Sequence, residues 1–97
     1  MLFAVICKDK PGVGLERRLA TRPAHLAYLQ NLGDQVKCAG GMLAAEGGNP
    51  MGSLLIIEAD NLELAKAIAA ADPYAGAEVF ESVEVLPWRP AFGPFKA

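Results

Sequence analysis

The sequence predicts an α+β fold in the order strand, helix, strand, strand, helix, strand. This is the split βαβ, or ferredoxin-like, arrangement with an antiparallel four-stranded sheet. Three observations carry the prediction. Leu2–Lys8 and Ser53–Asp60 are apolar on both alternations, as strands covered on both faces are. Each is followed by a segment with apolar residues at helical spacing. The 97 residues make a single domain, 1–97, with no room for a second core.

The first strand sets Leu2, Ala4 and Ile6 on one side and Phe3, Val5 and Cys7 on the other. Asp9-Lys10-Pro11-Gly12-Val13-Gly14 reads as a loop. Leu15, Leu19, Leu26 and Leu29 then fall on one helical stripe, interrupted by Pro23, which lacks an N–H and clashes with the preceding turn. The expectation is a short helix over 15–21, a break, and a second helix from Pro23 to about Gly33. Gln35–Ala45 is a weaker strand whose Gly40-Gly41 pair suggests a bulge or a close approach by another group. Glu46–Pro50 is a turn. Asp60 and Glu63 have capping-box spacing before a helix running to about Ala71, stopped by Asp72-Pro73. Glu78–Leu86 is a last, imperfectly alternating strand, followed by a proline- and aromatic-rich C-terminal tail from Pro87 to Ala97.

The chain is 53% hydrophobic, with a mean hydropathy of +0.24. That is much apolar material for a small domain, which has a large surface for its volume. Helices can cover only one face of the sheet. A second copy stacked sheet to sheet would cover the other, so the expectation is a homodimer, a dimeric α+β barrel. A net charge of −2 without a broad basic face argues against nucleic acid. No apolar run is long enough to span a bilayer, and the N-terminal apolar segment does not have the pattern of a signal peptide, so the expected location is cytoplasmic, without a membrane partner. Cys7, Cys38 and one histidine do not make a zinc site or a disulfide framework, and the expectation is two reduced, mostly buried thiols and no metal.

The segment Arg17-Arg18-Leu19-Ala20-Thr21-Arg22-Pro23-Ala24-His25-Leu26 concentrates the chemistry. It holds the single histidine, the one side chain that ordinarily titrates near neutral pH. Arg18 and Arg22 precede His25 at roughly helical spacing and could grip a substrate carboxylate or phenolate, or cap a helix, or lie solvated. Tyr74 and Trp88 suit the wall of an aromatic pocket, and equally core or dimer packing. Ser53 could face a cavity, but no neighbour in sequence activates it as a nucleophile.

Leu15-Glu16-x-Arg18-Leu19 leading to Arg22-Pro23-Ala24-His25-Leu26, then Ala71-Asp72-Pro73-Tyr74 and Val83-x-Val85-x-Pro87-Trp88, resembles the YciI-like (YCII-related) family. The resemblance runs from the first strand to Trp88. It implies a dimeric α+β barrel and a His–Asp pair in a cavity between helices and sheet, here His25 and Asp72. Within such proteins it points to a dehydrochlorinase of chlorinated hydroxyquinones, and among similar barrels to muconolactone isomerase and quinone- or haem-handling monooxygenases. With a helix restarting at Pro23, His25 would lie in a first turn, where the dipole disfavours imidazolium. Asp72, just beyond a helix C-terminus, would meet unpaired carbonyls and form an acid–base couple with it, or remain charged and orient it. Or the two side chains simply bond each other in a structural role.

The function expected is proton transfer, of isomerase or dehydrohalogenase-lyase type, on a small, aromatic or lactone-like molecule, with no metal or organic cofactor. Catalysis would fall to His25 and Asp72, with Arg18, Arg22, Tyr74 and Ser53 meeting the substrate. The alternative is a non-catalytic small-ligand-binding or accessory interaction module.

Overall fold

The computed structural model describes residues 1–95. Strand β1 (Leu2–Asp9) leads into helix α1 (Gly14–Leu32), a 3-10 turn (Gly33–Gln35), strands β2 (Val36–Leu43) and β3 (Pro50–Glu58), helix α2 (Leu62–Ala70), a four-residue helix α3 (Pro73–Gly76) and strand β4 (Phe80–Trp88). The strands form one antiparallel sheet in the order β2-β3-β1-β4. The doubly apolar strands are therefore the central pair: their helix-side residues are buried, as are Leu2, Ala4 and Ile56 on the other face, where Leu54 is exposed.

The face toward the helices holds the main core. Phe3, Val5, Cys7, Leu55 and Ile57 are buried there against Ala65 of α2, with Leu29 and Ile68 packed at the margin. Side chains such as Phe3 and Ile57 contribute roughly 1.5–3 kcal/mol each by leaving water. The other face carries Leu2, Ala4 and Ile56, partly covered by Phe95, whose ring meets Trp88 edge-on.

Four local expectations are corrected. α1 is one continuous helix that contains Pro23. The hydrogen bond lost at Pro23 would have gone to the carbonyl of Leu19, and both residues are exposed, so water can serve that carbonyl. The leucine stripe is not the buried face of α1. Leu19 and Leu26 are exposed, and the residues turned inward are Gly14, Arg18 and His25. The cap of α2 is Asn61, whose side chain accepts from the Leu64 amide at 2.9 Å, one position beyond the expected Asp60. Pro87 and Trp88 continue β4 and do not open the tail, because a proline on an edge strand withholds no needed donor. Residues 96–97 of the expected tail lie outside the described residues.

The imperfect alternation of the last strand also has a cause. The register between β1 and β4 shifts between Lys8 and Asp9, so that Asp9 lies opposite Phe80 whereas Lys8 lies opposite Ser82. This bulge turns Phe80 toward the helices, on the side of Val85 and the core.

Candidate active site

Helix α1 turns Arg18 and His25 toward the sheet, seven residues and about two turns apart. His25 is buried and meets Asp72, which follows α2. Its Nδ1 lies 2.8 Å from Oδ1 and 3.0 Å from Oδ2 of the Asp72 carboxylate. Asp72 is also the cap of α3, with Oδ1 accepting the Tyr74 amide at 2.9 Å. A carboxylate acceptor on Nδ1 selects the tautomer with its proton there and leaves Nε2 as the acceptor. Both contacts of the ring go to Nδ1, and no buried side-chain polar atom among the described residues lacks a partner. Nε2 is therefore the edge that opens on the cleft lined by His25.

The environments of the pair differ from those expected. His25 is in the middle of α1, so no helix-terminal dipole acts on it. Asp72 stands at a helix start as well as after a helix end, and the donors around its carboxylate are the His25 ring and the Tyr74 amide. The arrangement is that of an oriented imidazole, with the carboxylate as the orienting group.

Tyr74 lies flat on His25, with ring centroids 3.9 Å apart and planes 12° from parallel. Its other ring contacts are the edge of Phe80, centroids 6.0 Å apart, and the Arg18 guanidinium, 4.7 Å from the Tyr74 centroid. Arg18 is buried, and its fork is engaged by Asp9 at 2.8 Å from Nε and 2.7 Å from Nη2. Burial alone would lower the Arg18 guanidinium, but the hydrogen bond and charge of Asp9 outweigh it and raise it. Burial likewise pushes the Tyr74 phenol up, opposed by the positive charges of Arg18 and Arg22. Arg18 thus spends its bidentate geometry within the protein, and Arg22, exposed at the rim, is the guanidinium of the cleft with no such carboxylate partner among the described residues.

The cleft has a volume of about 370 Å³. Leu19, Arg22 and Leu26 border it along α1, the Gly40-Gly41 pair along β2, and Ser53 and Leu55 along β3. Gly41 is a place of close approach, since a Cβ there would stand 2.9 Å from that of Pro50. Ser53 is buried in the ladder opposite Cys7 and Gly41, and borders the cleft with no acid or base bonded to it. Trp88 does not border this cleft; it lies at the far end of β4, against Phe95. The lining contains no carboxylate, because Asp9 and Asp72 stand behind Arg18 and His25. Among the described residues no three His, Cys, Asp or Glu side chains gather closely enough to hold a metal ion, and no helix is long and apolar enough to cross a membrane.

Asp9 and Phe80 are the residues of this cluster that the sequence reading missed. Asp9 resembles any loop acid after a strand, and Phe80 reaches the cluster only through the bulge. A lone aspartate nine residues before a buried arginine is no recognisable motif.

Fold and cleft together define a ferredoxin-like domain with a His–Asp pair set between its helices and sheet. The chain belongs to the YCII-related domain family, whose model matches residues 1–89. It is 43% identical over 99 aligned residues to Protein YciI of Escherichia coli O6:H1, covering 95% of this chain and 100% of that protein. An uncharacterized protein of Haemophilus influenzae is 37% identical over the same shares. Among solved structures, 5-chloro-2-hydroxyhydroquinone dehydrochlorinase (TftG) from Burkholderia phenoliruptrix AC1100, in complex with 2,5-dihydroxybenzoquinone, superimposes with a TM-score of 0.85. The two are 34% identical, covering 92% of this chain and 94% of that one. An antibiotic biosynthesis monooxygenase homologue from Bacteriodes thetaiotaomicron, 17% identical with a TM-score of 0.60 over 100% of this chain and 94% of that one, shares the fold.

Proposed function

We propose that the chain is an enzyme that moves a proton on a small, oxygenated ring compound, with His25 as the base and Asp72 as its orienting partner. One observation carries this: the imidazole is pinned at Nδ1 by the Asp72 carboxylate at 2.8 Å while Nε2 faces a cleft of about 370 Å³. Nε2 takes a proton from an acidic O–H or C–H of the ring, and Asp72 stabilises the imidazolium that forms. Where the carbanion or enolate carries a halide, its departure completes the loss of HX with no outside oxidant or reductant. Where it does not, reprotonation at another atom gives an isomer. Arg22 at the rim meets an anionic oxygen of the substrate, and Tyr74 and Ser53 bound the ring. The dehydrochlorinase named above supports the elimination variant.

The test is a panel of chlorinated and unchlorinated hydroxyhydroquinones and small unsaturated lactones incubated in D2O. The reading expects chloride release or deuterium incorporation at carbon, abolished in His25→Gln. A ligand that binds in the cleft and is recovered unchanged and undeuterated would favour the binding module.

The same reading includes a homodimer closed by the outer face of the sheet, where Leu54, Leu86 and Trp88 are exposed beside Leu2 and Ala4. Light scattering should give twice the chain mass for the wild type and the chain mass for Leu54→Glu. A monomeric wild type would sink the barrel.

A further inference from the structure

We propose that Asp9 and Arg18 are a positioning pair for the imidazole: by fixing Tyr74 against His25 they set the direction in which Nε2 faces the cleft. The inference rests on His25 being the base, but its geometry can be tested without activity.

The contacts form a closed chain. Asp9 holds Arg18 through two bonds of 2.8 and 2.7 Å, which fix the plane of the guanidinium as well as its place. The guanidinium carbon lies over the Tyr74 ring, 4.7 Å from its centroid, and Tyr74 lies over His25 at 3.9 Å. His25 returns to Asp72, which holds the Tyr74 amide. The bond at Nδ1 alone leaves the imidazole free to rock about that anchor. The face of Tyr74 removes the freedom, provided that Tyr74 is itself immobile.

A buried ion pair is a costly way merely to fill space. Both partners here are nearly covered, with side-chain exposures of 4% and 7%, and a well-packed apolar pair of similar volume is often as stable or more so. What the ion pair supplies beyond packing is a guanidinium of fixed orientation above an aromatic ring. The bulge in β4 adds Phe80 edge-on to the same ring, 6.0 Å away, so Tyr74 is held by two side chains that do not border the cleft, Asp9 through Arg18 and Phe80 directly.

The single histidine makes the test direct. In protein labelled at histidine, the ring protons of His25 should carry the ring-current displacement of the stacked Tyr74, and Tyr74→Leu defines the unstacked position. Arg18→Lys keeps the charge and loses the fork. Asp9→Asn weakens it. Because either leaves a buried group short of a partner, the double variant Asp9→Leu/Arg18→Met, an apolar pair of similar volume, serves as the well-folded case. The His25 signals of all three should move toward those of Tyr74→Leu. With a turned-over substrate, kcat should fall by roughly tenfold to a hundredfold with KM little changed, the signature of a misplaced base. Wild-type His25 signals in the folded double variant would overturn the proposal. If instead His25→Gln keeps full activity, the base reading fails while the ring-current result stands by itself.

Discussion

Gly14 and Asp9 approach so closely that a Cβ on the glycine would stand 2.7 Å from the Cβ of the aspartate. The first residue of α1 is thus packed directly against the acid that holds Arg18. Gly14→Ala should push Asp9 away from Arg18 and, by overpacking, cost about 1–3 kcal/mol. Urea denaturation measures the loss. A variant as stable as the wild type would mean that β1 and α1 can separate without penalty.

The two tasks of Asp72 can be separated by choice of substitution. Asn keeps an oxygen for the Tyr74 amide and can present its N–H to Nδ1, which forces the proton onto Nε2. Asp72→Asn should therefore remain close to wild-type stability while activity falls by roughly 10²–10⁴-fold. Asp72→Ala removes the cap too and should lose about 0.5–2 kcal/mol more. Thermal unfolding beside initial rates distinguishes the two effects.

Cys7 should make the fold sensitive to alkali. Burial, followed by the charge of Asp72, pushes its thiol from the ordinary 9.0 up to about 12; Arg18 opposes the shift and Asp9 adds to it. Between those values the unfolded chain has lost the proton and the folded chain still holds it, so stability falls as pH rises through the window. The slope of Tm against pH from 9.0 to about 12 should be shallower in Cys7→Ala, whatever its absolute stability. Of the two thiols expected to be buried only Cys7 is; Cys38 lies exposed on the edge strand β2, so at neutral pH a thiol reagent should modify Cys38 quickly and Cys7 only on unfolding.

Pro23→Ala should stabilise the protein, by up to about 3 kcal/mol, because it restores the bond to the Leu19 carbonyl and removes the ring from the helix interior. His25 lies only two residues on, so the same change should reduce turnover. Higher Tm with unaltered kcat would show that the proline has no bearing on the imidazole.

The fold was readable because its evidence is distributed. Leu2–Cys7 and Leu54–Ile57 are apolar on both alternations, and only a central position in a two-faced sheet asks for that. Single-residue signals were read less well. Pro23 reads as a break only under a local rule that ignores which side of the helix loses the bond. Pro87 reads as a strand end only where the rule ignores edges. His25 was conspicuous as the single histidine, but its meeting with Asp72, 47 positions away, came from family resemblance and not from any local pattern. Asp9 was silent, since its role exists only after β1 and α1 are packed.

The cleft divides its residues by freedom of movement. Its floor, Arg18, His25, Ser53 and Tyr74, is buried, with Arg18, Tyr74 and His25 packed on one another, whereas its rim, Leu19, Arg22, Leu26, Gly40 and Gly41, is exposed. Substitution at the rim alters which molecule enters without disturbing the floor. On the proposed function, a sequence can thus drift toward new ligands while the His25–Asp72 geometry stays inherited, and rim positions are where members of such a lineage should be compared first when their substrates differ.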